Sequence, residues 1–268
     1  MRILIFLYAI SLVFYSTSQT SIEQITSKKI NPKRLAITNT GIGTLSVGSL
    51  IGLNRLWYSK ETQEAFHLFD DSKNWMQMDK FGHATTSYGL TKYMTKVYKW
   101  SGMSQRKSTI LSASITLGYM SAIEIMDGFS SNWGFSISDM GANLIGTGLF
   151  LFQETYFSKQ IIQPKFSFHT TPYSDLRPEI LGSNFMESLL KDYNGQTYWI
   201  SFSPGHLGLS AWPKWMMLSI GHSIDSRLKG SSAVYMGYES SREYLFSLDL
   251  DLSEIPIKSK ILKSVFEL

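Results

Sequence analysis

Apolar residues recur at helical spacing through the first part of this 268-residue chain and in strict alternation through its last third, so two kinds of structure are predicted. Residues 35–54 carry no charge and are dotted with Gly41, Gly43, Gly48 and Gly52. They predict a helix that spans or lines a membrane, or one buried in protein, with Gly48 and Gly52 spaced for a close helix approach. A second helix is expected from about Trp75 to Trp100, with Asp79, His83, Leu90, Met94 and Val97 on its inner stripe. After the polar turn 101–107, a third carries Ile110, Ala113, Leu117, Met120, Glu124 and Asp127 on one seam. A fourth, capped by Ser136 or Ser138, runs to about Tyr156 with Asp139, Asn143, Gly146, Phe150 and Gln153 aligned. Gly146 leaves room there for a neighbouring helix.

Beyond Pro164 the rhythm changes. Helical spacing survives through Phe185, Leu189 and Tyr193, then gives way to alternation in 214–224 and 243–252, with shorter candidates at 198–202 and 233–238. The expected fold class is therefore α+β, a bundle of about four helices followed by a small antiparallel β-meander. Three or four strands cannot close a barrel, and open edges are not tolerated in lipid, so the sheet is expected to pack on the helices or to fold on a membrane surface. The tail, with Ile257, Ile261, Leu262, Val265 and Phe266 among lysines, predicts a basic amphipathic helix or a terminal helix docked on the sheet. The resulting division is a segment 1–18, a helical core 35–157 and a C-terminal part 165–268.

The first segment has Arg2, an apolar run from Ile3 to Tyr15 and small polar residues to Gln19, the pattern of an export signal; an uncleaved anchor is the alternative. There is no cysteine, which excludes disulfides, a thiolate zinc site and a lipid-bearing cysteine. The net charge of +4 is mild and no Lys/Arg block resembles a nucleic-acid arm, so anionic lipid is the expected partner for it and nucleic acid is not.

Candidate chemistry lies in three mostly apolar segments. Asp79, Lys80 and His83, then Glu124 and Asp127, then Ser138, Asp139 and Asn143 place ionisable and amide groups on helical faces. Burying such charges alone is costly, so these eight residues are expected to meet in one polar cluster. Several carboxylates in one place need neutralising. A divalent cation held by Asp79, His83, Glu124 and Asp139 is one answer. Proton sharing is a second, with His83, Glu124 or Asp127 as catalytic acid or base. A hydrogen-bonded structural network is the third. His67, His169, His206 and His222 stand alone, and Ser104-Gln-Arg-Lys107 lacks the partner motifs of serine acyl-enzymes.

The set Asp79-Lys-Phe-Gly-His83, Glu124-Ile-Met-Asp-Gly128, Gly134-Phe-Ser-Ile-Ser-Asp-Met140 and Ala142-Asn-Leu-Ile-Gly146 resembles the YfiM-like family of periplasmic proteins of unknown function. The order Asp-Lys-x-x-His, Glu, Asp-x-x-x-Asn-x-x-Gly is more distantly similar to the VanZ-like membrane proteins. Residues 191–199 and 245–252 resemble the C-terminal extension of one bacterial branch of the YfiM-like family. The resemblance implies an envelope location and a helical core around the motif residues, and no reaction. The absence of cysteine departs from its lipoprotein members.

The sequence thus predicts an exported protein of the periplasm or the periplasmic face of a bacterial membrane. Its expected role is a membrane-associated structural or binding component, in contact with membrane lipid or another envelope component. The competing class is a metal-dependent or acid–base hydrolase or transferase acting on an envelope lipid or glycan precursor.

Overall fold

The computed structural model describes residues 29–58 and 63–256, so the expected export segment 1–18 and the amphipathic tail lie outside the described residues. Helix α1 spans Pro32–Leu53. Asn31 opens it by accepting a hydrogen bond from the Arg34 amide, and Pro32 suits its first turn. Few of the described residues cover it. Ile37, Leu45, Val47 and Ile51 are exposed, and a Cβ added at Gly41, Gly43, Gly48 or Gly52 would meet nothing within 4 Å. The expected close approach at those glycines is not made by any described residue.

Three further helices form the bundle: α2 (Met78–Trp100), α3 (Gln105–Asp127) and α4 (Ile137–Phe157). Helix α2 begins later than its periodicity suggests, because Trp75, Met76 and Gln77 are left-handed, with φ of 47°, 52° and 66°. Such a run is strained for residues with a Cβ. Trp75 holds it in place: its amide donates to Gly230 O at 2.9 Å, and its ring packs with Leu181 and Leu228. The α2–α3 turn uses Gly102 at φ 91°, where a Cβ would also press on Lys29 O. Helix α4 is capped by Ser136, whose Oγ accepts from the Asp139 amide at 3.0 Å.

Ala113, Met120 and Glu124 are buried as the α3 stripe expects, but the stripes need correction at two positions and in what lies beside them. Val97 and Ile110 are exposed, while Ser87, Thr91, Thr95, Ser108, Thr109, Ser112 and Thr116 are buried. Small hydroxyl residues suit such seams because they can bond their own helix, as Thr91 does with Ser87 O at 2.8 Å and Thr109 with Gln105 O at 3.0 Å, and then let backbones approach. The α4 stripe is as expected: Asp139, Asn143, Gly146, Phe150 and Gln153 are all buried. At Gly146 the contact with α2 is so close that a Cβ would lie 1.9 Å from Ala84 O.

After α4 come β1 (Ile162–Phe168), three short helices α5 (Tyr173–Leu176), α6 (Pro178–Leu181) and α7 (Phe185–Lys191), then β2 (Gln196–Phe202) and β3 (Met216–Asp225). A small hairpin of β4 (Val234–Tyr235) and β5 (Tyr238–Glu239) precedes β6 (Ser241–Leu250). The four-stranded sheet is antiparallel in the order β1-β2-β3-β6. Residues 233–238 therefore do not join the meander as expected. Their place is taken by β1, whose Pro164 is tolerated because β1 is an edge strand.

The sheet is curled. Lys165 of one edge strand reaches Asp249 of the other at 2.5 Å, with Ser201 and Ser219 paired at 2.7 Å between them. Gln163 similarly reaches Asp251 at 2.6 Å. The inside of the curl is therefore polar. Its outside carries Ile162, Phe166, Tyr198, Ile200, Ile220, Tyr244, Phe246, Leu248 and Leu250, aligned by the register Ile200–Ile220–Phe246 and Phe202–Leu218–Leu248. Helix α2 covers one end of this face, where Met78 packs on Tyr198 and Ile224 and Phe81 stacks on Tyr198.

Candidate functional site

The site forms where the first turns of α2 and α4 meet the last turns of α3. A loop completes it. Residues 63–69 lie along 130–135, bridging Gln63 to Ser130 and Leu68 to Phe135, and this delivers Asp71 to the start of α4. Asp71 then accepts hydrogen bonds from Ser136 Oγ at 2.6 Å and Ser138 Oγ at 2.8 Å.

Lys80 is the centre of one half of the cluster. Its ammonium lies 2.6 Å from Asp71, 2.9 Å from Asp79 and 2.9 Å from Asp139. Three oxygens around one ammonium match the three donors of lysine. The carboxylates Asp71, Asp79 and Asp139 are close enough together to hold a metal, but the lysine occupies their midst.

His83, one turn further along α2, centres the other half. Its Nδ1 lies 3.2 Å from Asn143 Oδ1 and 3.4 Å from Glu124 Oε1, and its Nε2 lies 4.0 Å from Asp139 Oδ2. Glu124 is 1% exposed; its Oε2 accepts from the Ser136 amide at 3.3 Å, while its Oε1 has no hydrogen-bond partner among the described residues. Asn143 Nδ2, fully buried, likewise has none. The His83 side chain keeps 20% exposure, which makes it the more open member of the pair with Glu124.

The acids divide by environment. Burial raises the Glu124 carboxyl to about 9, aided by the charges of Asp139 and Asp127. Burial raises Asp79 to about 7 against the pull of Lys80. It raises Asp139 as well, tempered by His83 and Lys80. At Asp71 burial pushes the same way, but the hydrogen bonds from Lys80 and Ser136 prevail and hold the carboxyl at about 2. For Lys80, desolvation is outweighed by Asp79 and Asp139, so its ammonium is held above its ordinary range. Near neutral pH the cluster therefore holds an ionised Asp71–Lys80 pair beside a protonated Glu124.

Of the residues the sequence singled out, Asp79, Lys80, His83, Glu124, Ser138, Asp139 and Asn143 come together. Asp127 is part-exposed one turn beyond Glu124 and acts on it through its charge. The four expected metal ligands separate: His83, Glu124 and Asp139 offer atoms within 4.8 Å of one another, whereas Asp79 groups with Asp71 and Asp139 around the lysine. Asp71 was not foreseen, whereas Ser136 was expected as a capping serine able to hydrogen-bond the acids, and it does both. Asp71 sits in a polar loop without periodicity, and its only sequence signal is proximity to the start of α2.

All these side chains fall in one segment of the chain. Residues 67–155 match a family described as predicted periplasmic lipoprotein (DUF2279). Comparisons with curated proteins and with solved structures return no match. The DUF2279 segment begins shortly before Asp71 and ends within α4, so it contains the whole cluster and stops short of the sheet. Its description agrees with the location expected from the sequence, the periplasm or the periplasmic face of a bacterial membrane.

Proposed function

We propose that this protein is a non-catalytic, membrane-associated component of the bacterial envelope, of YfiM-like kind. Its cluster ties α2, α4 and a loop together through Lys80, joins α3 through Glu124 beside His83, and keeps a cation-sized seat there. The observation that carries this reading is the division of the cluster. Lys80 lies within 2.9 Å of Asp71, Asp79 and Asp139, whereas Glu124 Oε1 and Asn143 Nδ2 are buried with no hydrogen-bond partner among the described residues beside the imidazole. Orphaned polar atoms in a dry interior are unfavourable unless something supplies the missing interaction. His83, Glu124 and Asp139 offer nitrogen and oxygen donors suited to manganese, zinc or magnesium.

Such a cation would compete with the proton on Glu124, so its uptake should strengthen as pH rises. The test is metal analysis of purified protein after dialysis against manganese(II) or zinc(II) at pH 8. Retention near one equivalent, lost in His83→Ala and Glu124→Gln, is expected. No retention by the wild-type protein, with melting unchanged by chelator, overturns the cation seat and leaves a purely structural network. The hydrolase or transferase reading would instead require turnover of an envelope lipid or glycan precursor that depends on His83.

A further inference from the structure

We infer that the bare half of the sheet's apolar outer face rests among the acyl chains of an anionic bilayer, a placement that builds on the membrane association proposed above. The polarity of the sheet is inverted. On β6, Phe246 is 81% and Leu248 69% exposed, while on the other side of the sheet Ser201 and Ser219 are buried with Lys165 and Asp249 paired over them. No charged side chain stands on the outer face along the rows Ile162–Phe202–Leu218–Leu248 and Pro164–Ile200–Ile220–Phe246. In water this arrangement loses hydrophobic stabilisation on the outside and carries buried polar groups inside.

The same inversion runs through the helices. Ser and Thr line the seams of α2 and α3, while Ile110 and Leu111 at the start of α3 face outward. An apolar exterior spread over several elements is what a lipid environment favours; a single protein partner would cover only one patch.

The bare half of the sheet also lies at a particular end of the molecule. Gln153 near the end of α4 binds Ile162 through both its amide atoms, at 2.9 Å and 2.7 Å, so the β1 end of the Ile162–Leu248 row is held beside the end of α4, away from the cluster. At this end Arg34 stacks on Trp100 at 4.9 Å, and Lys92 and Lys96 lie over Tyr93 at 5.9 Å and 5.6 Å. Basic and aromatic side chains together suit the headgroup boundary of an anionic leaflet. A groove of about 550 Å³ opens at the same end between α3 and α4, where Arg106 sits among Ile110, Leu151, Phe152 and Tyr156. Because the edges of β1 and β6 do not pair with each other, immersion is confined to the face, at the depth of an interfacial element of about 5–10 Å.

The absence of native cysteine makes the test direct. Phe246→Cys, Leu248→Cys and, on the opposite face, Ser247→Cys are each labelled in the full-length protein with a polarity-sensitive fluorophore. They are mixed with vesicles of phosphatidylethanolamine and phosphatidylglycerol carrying nitroxides on the acyl chains. A blue shift and strong quenching at positions 246 and 248 but not at 247 is expected. Phe246→Asp with Leu248→Asp should lower vesicle flotation roughly tenfold or more, with circular dichroism unchanged because both side chains are exposed. Wild-type protein that does not float overturns this placement and the membrane association together. Protein that floats with position 246 unquenched overturns the placement alone. A vesicle-independent blue shift also overturns it: dependence on protein concentration would identify a second copy as the cover, and loss on deleting residues 257–268 would identify the chain's own tail.

Discussion

The ammonium of Lys80 on α2 lies 2.6 Å from the carboxylate of Asp71, which a loop brings in from outside the bundle. Both side chains are largely buried; Asp71 stays ionised through Lys80 and Ser136, and Lys80 through Asp79 and Asp139 together with Asp71. Lys80→Met leaves three carboxylates around an apolar side chain and should destabilise the protein by about 3–5 kcal/mol. Urea denaturation measures it. A loss below about 1 kcal/mol would show that the pair does not hold the site together.

Ser136 bonds both the Asp139 amide and Asp71. Ser136→Ala should therefore cost about 1–2 kcal/mol. It should also let the Asp71 carboxyl rise from about 2 toward its ordinary 3.8. Carbon-13 NMR titration of the aspartates follows that rise, and unchanged titration counts against the hydrogen bond.

Glu124 sets a pH dependence of definite sign. Its carboxyl titrates near 9 in the folded protein and near 4.5 when unfolded, so the native state binds the extra proton between those values. Its contribution to stability is complete below about 4.5 and declines as pH rises through about 9. Asp79 acts in the same direction between 3.8 and about 7, and Asp71 in the opposite one, its contribution being lost as pH falls from 3.8 through about 2. Melting temperatures measured from pH 5 to pH 9 should fall more steeply in wild-type protein than in Glu124→Gln, which cannot titrate. Parallel curves would place the Glu124 proton elsewhere.

Gly146 faces Ala84 O with no room for a methyl group. Gly146→Ala must push α2 and α4 apart beside the cluster, and a loss of about 2–4 kcal/mol is expected. Gly148→Ala, where an added Cβ meets nothing within 4 Å, is the control and should be neutral or stabilising.

Much of the site was legible because spacing along a helix fixes which residues share a face. Asp139, Asn143 and Gly146 on α4, and Lys80 and His83 on successive turns of α2, follow from that rule. Asp71 did not, since its position depends on the pairing of residues 63–69 with 130–135, a contact between segments about 65 residues apart. Two positions of the α2 and α3 stripes misled for another reason, while Ala113, Met120 and Glu124 are inside as expected. Val97 and Ile110 have the right period to be core residues, yet Thr95 and Ser112 are inside.

By itself, then, the sequence determined the bundle helices, the alternation of β3 and β6 and most residues available for the cluster, because these follow from local geometry and side-chain chemistry. Tertiary structure decided which side of α2 and of the sheet is interior, whereas the interior stripe of α4 was as expected. Periodicity separates two faces but does not say which one meets a neighbouring backbone, and here the close helix seams select Ser, Thr and Gly while Phe246 and Leu248 are left outside.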